Sequence, residues 1–163
     1  MKIVQSVVLV PFLCLLLAGC TTRRGVKTIN IIATTDVHGR IFDKDCIDGT
    51  ERTGSLAKLS AFLKKQRKEN RNVIYLDAGD ILQGSIEMYQ DITAQFDRES
   101  LAAKAYNLLD CDAVALGNHD LAVGTQSYEY FFSEAEFPVL GTNVSFMNYG
   151  DFIPCYRMLE RNG

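Results

Sequence analysis

At 163 residues, 47% apolar and 23% charged, the chain has the composition of one globular domain and not that of a disordered segment. A net charge of −3 argues against a nucleic-acid polymer as partner. The one dense basic run, Lys64 to Arg71, also carries Gln66, Glu69 and Asn70, and reads as the solvated end of an amphipathic helix.

The chain opens on Lys2 and a run from Ile3 to Leu17 that is apolar apart from Gln5, Ser6 and Pro11, too short for a comfortable membrane span. Leu17-Ala18-Gly19-Cys20 resembles the bacterial lipobox, in which the signal is cut before a cysteine that is then lipidated. The expected organisation is a signal peptide over 1–19, a leader over 20–27 acylated at Cys20, and one domain over 28–163. Acyl chains would fix such a protein to a lipid bilayer outside the cytoplasm without spanning it. Thr21, where an Asp would retain a lipoprotein at the inner membrane, slightly favours the outer one. Cys46, Cys111 and Cys155 remain in the domain, allow at most one bridge, and contain no C-x-x-C pair, so they read as small buried residues rather than a zinc site.

From Lys27 onward strand-like and helix-like segments alternate. Thr28 to Thr35 reads as a strand. Asp43 to Arg52 is a charged loop expected to be mobile and to border a site. Ser55 to Lys68 reads as a helix with Leu56, Leu59, Phe62 and Leu63 on one face and Thr53 or Ser55 as its cap. Val73 to Asp77 is the next strand, Glu99 to Leu109 a helix carrying Leu101, Ala105, Leu108 and Leu109, and Asp112 to Leu116 the third strand. Thr125 to Ala135 reads as a helix and Pro138 to Gly141 as a short strand. Phe152 to Glu160 again has strand-like stretches, and Arg161-Asn162-Gly163 reads as a hairpin turn, from which a truncated frame or N-terminal fragment is expected. The alternation predicts a layered α/β domain with right-handed crossovers.

Three polar strings each follow an aliphatic strand: Asp36-Val37-His38, Gly79-Asp80 and Gly117-Asn118-His119-Asp120. In an open parallel sheet the C-terminal strand ends converge on one edge, where ligands bind. The chain's only two histidines fall inside these strings. Asp36 and His38, two apart in extended backbone, point to one side and can grip one ion. Asn118 offers a neutral oxygen ligand beside a crowded carboxylate.

In this order the strings resemble the calcineurin-like metallophosphoesterase superfamily, with its D-x-H, G-D and G-N-H-[DE] pattern. The wider text, Ile32 to Arg40, Leu76 to Gly84, Ala115 to Asp120 and Phe137 to Val144, is similar to its 5′-nucleotidase and 2′,3′-cyclic-nucleotide phosphodiesterase branch. The resemblance implies the N-terminal part of an α/β/β/α sandwich and two divalent ions, with Mn, Zn or Fe suiting the mixed donors. By the same resemblance Asp36 and His38 hold the first ion, Asp80 bridges both, Asn118 holds the second, and His119 acts on the phosphoryl group or the leaving alkoxide. The implied activity is hydrolysis of nucleotide phosphate esters in extracytoplasmic salvage, incomplete in the chain as written.

Two departures stand out. The branch commonly places an acid three residues after the histidine matching His119, and here that place is Ala122. The neighbouring Asp120 does not occupy that position. Further metal-binding histidines, including a G-H-x-H string, and a base-recognising C-terminal domain are also absent. The rival expectation is a non-catalytic lipoprotein that keeps the fold as a binding or scaffolding surface.

Overall fold

The computed structural model describes residues 26–93, 98–144 and 153–161; the signal peptide, Cys20 and the leader as far as residue 25 lie outside them. Four strands form one sheet: β1 (Asn30–Thr34), β2 (Val73–Asp77), β3 (Ala113–Ala115) and β4 (Val139–Leu140). They lie in the order β1-β2-β3-β4 and every pairing is parallel. Between them run α1 (Leu56–Glu69), α2 (Ile86–Thr93), α3 (Leu101–Leu108), α4 (Asn118–Ala122) and α5 (Thr125–Glu134). Right-handed crossovers between successive neighbours put their helices on one face of the sheet. The core lies there, with Tyr75, Val114 and Val139 of the strands against Leu63, Met88, Tyr106, Tyr128 and Phe131 of the helices. The opposite face carries Ile31, which is 66% exposed, paired in register with the half-buried Ile74.

The helices begin where the sequence supplies caps. Ser55 accepts from the backbone N–H of Lys58 and opens α1, so Ser55 rather than Thr53 is the cap. Leu56 and Leu63 of α1 are buried, but Phe62 is 48% exposed and does not share their face. In α3, capped by Ser100, the buried residues are Ala102, Ala103 and Tyr106, while Leu108 is 73% exposed. The small alanines let α3 approach the sheet closely enough for the Tyr106 hydroxyl to reach Asp77. Of the residues expected to face the core, Leu109 is buried and Leu101 and Ala105 pack against the core, so only Leu108 points away. Two helices, α2 and α4, had no periodic signal in the sequence, being 8 and 5 residues long.

The charged loop after β1 is pinned at several points. Asp45 N–H donates to Thr50 O at 2.8 Å, Lys44 and Glu51 form an antiparallel bridge, and Arg52 pairs with Asp45 at 3.2 Å and Glu87 at 3.0 Å. Residues 153–161 form no strand, contrary to the alternating pattern there. They are instead tied through Pro154 O to Gly141 N–H at 3.2 Å, and through Arg161 to Asp112. A backbone bonded by side chains and loop groups has no need of a ladder.

Beneath the sheet edge lies a buried polar chain. Asp77 accepts hydrogen bonds from Thr34 Oγ1, from Tyr106 OH at 2.8 Å and from Gly79 N–H at 2.8 Å. Tyr75 OH meets Thr34 Oγ1 at 2.9 Å, and the Tyr75 and Tyr106 rings stack with centroids 6.3 Å apart. Burial pushes the Asp77 carboxyl and both tyrosine hydroxyls above their ordinary values.

Of the three domain cysteines only Cys111 is buried; Cys46 and Cys155 are exposed and all three are free thiols. Burial pushes the Cys111 thiol up to about 12. At pH 8 an alkylating reagent is therefore expected to modify Cys46 and Cys155 in the native chain, and Cys111 only after denaturation. Peptide mapping checks this, and labelling of Cys111 at the rate of the other two would contradict the packing.

Candidate metal centre

All three polar strings emerge at the C-terminal edge of the sheet, and backbone bonds lock them together. Ala78 N–H donates to Thr34 O at 2.9 Å, Asp36 N–H to Gly79 O at 3.0 Å, and His38 N–H to Asp80 O at 2.9 Å, so the ends of β1 and β2 continue as a zipper past the ladder. Asp36, His38 and Asp80 hold φ of 53°, 48° and 61°, a left-handed conformation that non-glycine residues seldom adopt. Each such residue costs on the order of 1–3 kcal/mol and persists only where its surroundings over-determine it.

The third string supplies much of that determination. Asp120, 1% exposed, accepts from four backbone N–H groups: Asp80 at 2.8 Å, Ile81 at 2.7 Å, Leu82 at 2.8 Å and Gly117 at 3.0 Å. In return Asp80 Oδ1 accepts from His119 N–H at 2.9 Å. Glycine is required where the two strand ends interlock. A Cβ on Gly117 would lie 2.0 Å from Asp80 Oδ1, and one on Gly79 would lie 2.4 Å from Gly117 N.

The result is a compact donor cluster. His38, Asp80 and His119 offer ligand atoms that all lie within 4.8 Å of one another. The two imidazoles meet edge to face, with centroids 5.1 Å apart. Asp36 stands beside them, its Oδ1 3.8 Å from His38 Nε2, on an exposed side chain that also accepts from Thr35 Oγ1. Asn118 is the exposed first residue of α4, next to His119. Two imidazole nitrogens and a carboxylate are a donor set that fits a borderline divalent ion such as Zn, Mn or Fe. The sequence singled out all five of these residues, and the fold gathers three into one group with Asp36 beside it and Asn118 next to His119 in the chain.

Two further residues belong to the site and were not foreseen. One is Asp120, whose position three residues after the Gly117 cap marks it as a helix-start acid that can bond back to the cap backbone. The other is Gln83, whose main-chain oxygen lies 2.9 Å from His38 Nδ1 and whose Oε1 bonds His119 Nδ1. Nothing in hydrophobic periodicity marks a glutamine in a turn. Gln83 and Gly84 also line a cleft of about 890 Å³ together with Asp45, Arg52, Glu87 and Tyr89. The loop over 43–52 thus borders this cleft, which meets the donor cluster through Gln83.

The calcineurin-like phosphoesterase family model matches residues 29–161, which include every residue of this cluster. The chain belongs to the calcineurin-like phosphoesterase family. Among its phosphoesterase relatives, human 5′-nucleotidase is 32% identical over 126 residues, covering 74% of this chain and 21% of that protein. The trifunctional nucleotide phosphoesterase protein YfkN of Bacillus subtilis is 28% identical over 123 residues, covering 71% of this chain and 8% of that one. The solved structure of the YfkN calcineurin-like phosphoesterase superposes with a TM-score of 0.64, over 69% of this chain and 36% of that one, at 28% identity. A putative 5′-nucleotidase from Staphylococcus aureus gives 0.62, over 71% and 22%, at 26% identity. The chain therefore spans about a fifth or less of the length of these two curated relatives. The expected mixed α/β fold with a parallel sheet is the one these phosphoesterases share.

The interlock predicts a specific lesion. Gly117→Ala drives a methyl group into the Asp80 carboxylate and should weaken Mn²⁺ or Zn²⁺ binding by calorimetry at least about tenfold. An unchanged affinity would show that Asp80 does not depend on this contact.

Proposed function

We propose that this chain is the metal-binding N-terminal portion of a divalent-metal phosphoesterase acting on nucleotides or related phosphate esters. The observation that carries this reading is the cluster of His38, Asp80 and His119 donors within 4.8 Å at the C-terminal strand edge, in a family whose relatives here are named for nucleotide hydrolysis. Asp36 and His38 would hold one ion, Asp80 would bridge, and Asn118 would hold a second. Such ions supply charge neutralisation for the phosphoryl oxygens and a more acidic water.

The chain's own residues do the positioning. Asp80 is held by its backbone through Asp120 and by its Oδ1 through His119 N–H, so its carboxylate meets a cation without having to reorganise. His119, with Nδ1–H held by Gln83, would in its doubly protonated form donate from Nε2 to a phosphoryl oxygen or pass that proton to the leaving alkoxide. The cleft beyond Gln83 gives the leaving group room. Location outside the cytoplasm, with acylated Cys20 in a membrane, follows from the Leu17-Ala18-Gly19-Cys20 string. A role in nucleotide salvage fits that location, since charged nucleotides cross membranes poorly until dephosphorylated.

The second reading, a lipid-anchored binding module without turnover, is favoured by one observation: Ala122 supplies no acid to His119. Only the phosphoesterase reading requires metal, so the first test is binding. Calorimetric titration of the chain with Mn²⁺ should give an affinity that Asp80→Asn and His38→Ala each lower at least about tenfold. Binding unaffected by either substitution would sink the phosphoesterase reading. Phosphate release from AMP, or ring opening of 2′,3′-cyclic AMP to a nucleoside monophosphate, by the Mn²⁺-loaded chain and lost in His119→Ala, selects the enzyme; bound AMP without turnover selects the module.

A further inference from the structure

Gln83 is the one described residue hydrogen-bonded to the ring nitrogens of both histidines. Its main-chain oxygen takes His38 Nδ1 at 2.9 Å, and its side-chain Oε1 takes His119 Nδ1. A carbonyl oxygen only accepts, so each contact requires the proton on Nδ1 and leaves the Nε2 lone pair free. His38 Nε2 lies 3.8 Å from Asp36 Oδ1, so two acceptor atoms border the same space, as a shared cation would require. One residue in the turn between β2 and α2 thus sets the tautomer and the tilt of two imidazoles whose edges meet.

Position 122 gives this arrangement its meaning. Residues three apart on a helix are neighbours, so an acid at 122 would lie within reach of His119 on α4. Ala122 has nothing to offer. We propose that Gln83 is a positioning residue for both histidines and that its side-chain carbonyl stands in, for His119, for the acid missing at Ala122. An amide orients the ring as a carboxylate would, yet adds no negative charge beside Asp80. The consequence for catalysis rests on the proposed phosphoesterase reading; the tautomers themselves do not, and are read without turnover.

The chain holds two histidines, so its imidazole spectrum has two rings. Long-range ¹H–¹⁵N correlation of the labelled chain at pH 8 should show both as Nδ1–H tautomers. In Gln83→Leu, His119 should move to the Nε2–H form. His38 should keep its pattern, because the main-chain oxygen at 83 remains, and so reports that the turn is intact. Gln83→Glu should restore Nδ1–H at His119, as should Ala122→Asp added to Gln83→Leu. His119 found as Nε2–H in the unaltered chain, or unchanged by Gln83→Leu, would overturn the proposal. Metal binding or phosphate release could fail with the tautomers as stated, which would count against the phosphoesterase reading alone.

Discussion

A buried carboxylate holding four backbone N–H groups is the constraint on which this structure turns. Asp120 is almost wholly removed from water, and an ionised group there is tolerable only if its lone pairs are filled. Asp80, Ile81, Leu82 and Gly117 fill them. Hydrogen bonds to a charged group contribute about 1.5–3 kcal/mol each, enough in sum to offset several kcal/mol of desolvation. The same carboxylate lies in the first turn of α4, where the helix N-terminus favours negative charge, and so caps α4 while fixing the turn after β2.

Much else follows from that clamp. The left-handed conformation of Asp80 is held rather than relaxed, and His38 N–H finds Asp80 O only because Asp80 stays there. Gly79 and Gly117 remove the side chains that would keep the two turns apart. From below, Asp77 reaches Gly79 N–H while Tyr106 and Thr34 hold Asp77, so the α3 layer is wired to the turn that carries the candidate ligand. The strain sits where cation binding would use it, on elements that the core keeps rigid.

The sequence revealed this edge because its signals were of the strongest kind. Short aliphatic runs ending in Asp-x-His, Gly-Asp and Gly-Asn-His-Asp can be read as strands and strand ends without knowing any contact, and parallel topology then brings those ends together. What escaped was of a different nature. On α3, Ala102, Ala103 and Tyr106 are the fully buried residues, beside the expected Leu101, Ala105 and Leu109, because close approach and a buried hydroxyl need no aliphatic bulk. The strand-like text after Phe152 found side-chain and loop partners in place of a ladder, a choice made by tertiary context. Cys46 and Cys155 are exposed because they lie in loops, which composition alone does not show. Apart from the Gly117 N–H close by, Asp120 and Gln83 act through backbone N–H groups and imidazoles 36 to 45 residues away in sequence, and no local pattern records such a partnership.

The most direct test of the clamp is amide hydrogen exchange at its four donors. Asp80, Ile81, Leu82 and Gly117 lie in or beside turns, where solvent-facing N–H groups exchange freely, yet the Asp120 carboxylate should protect them by at least about a hundredfold. In Asp120→Ala that protection should vanish at these four amides while the N–H groups of β2 retain theirs. Exchange of the four at unprotected rates in the unaltered chain, or protection that survives Asp120→Ala, would contradict the account.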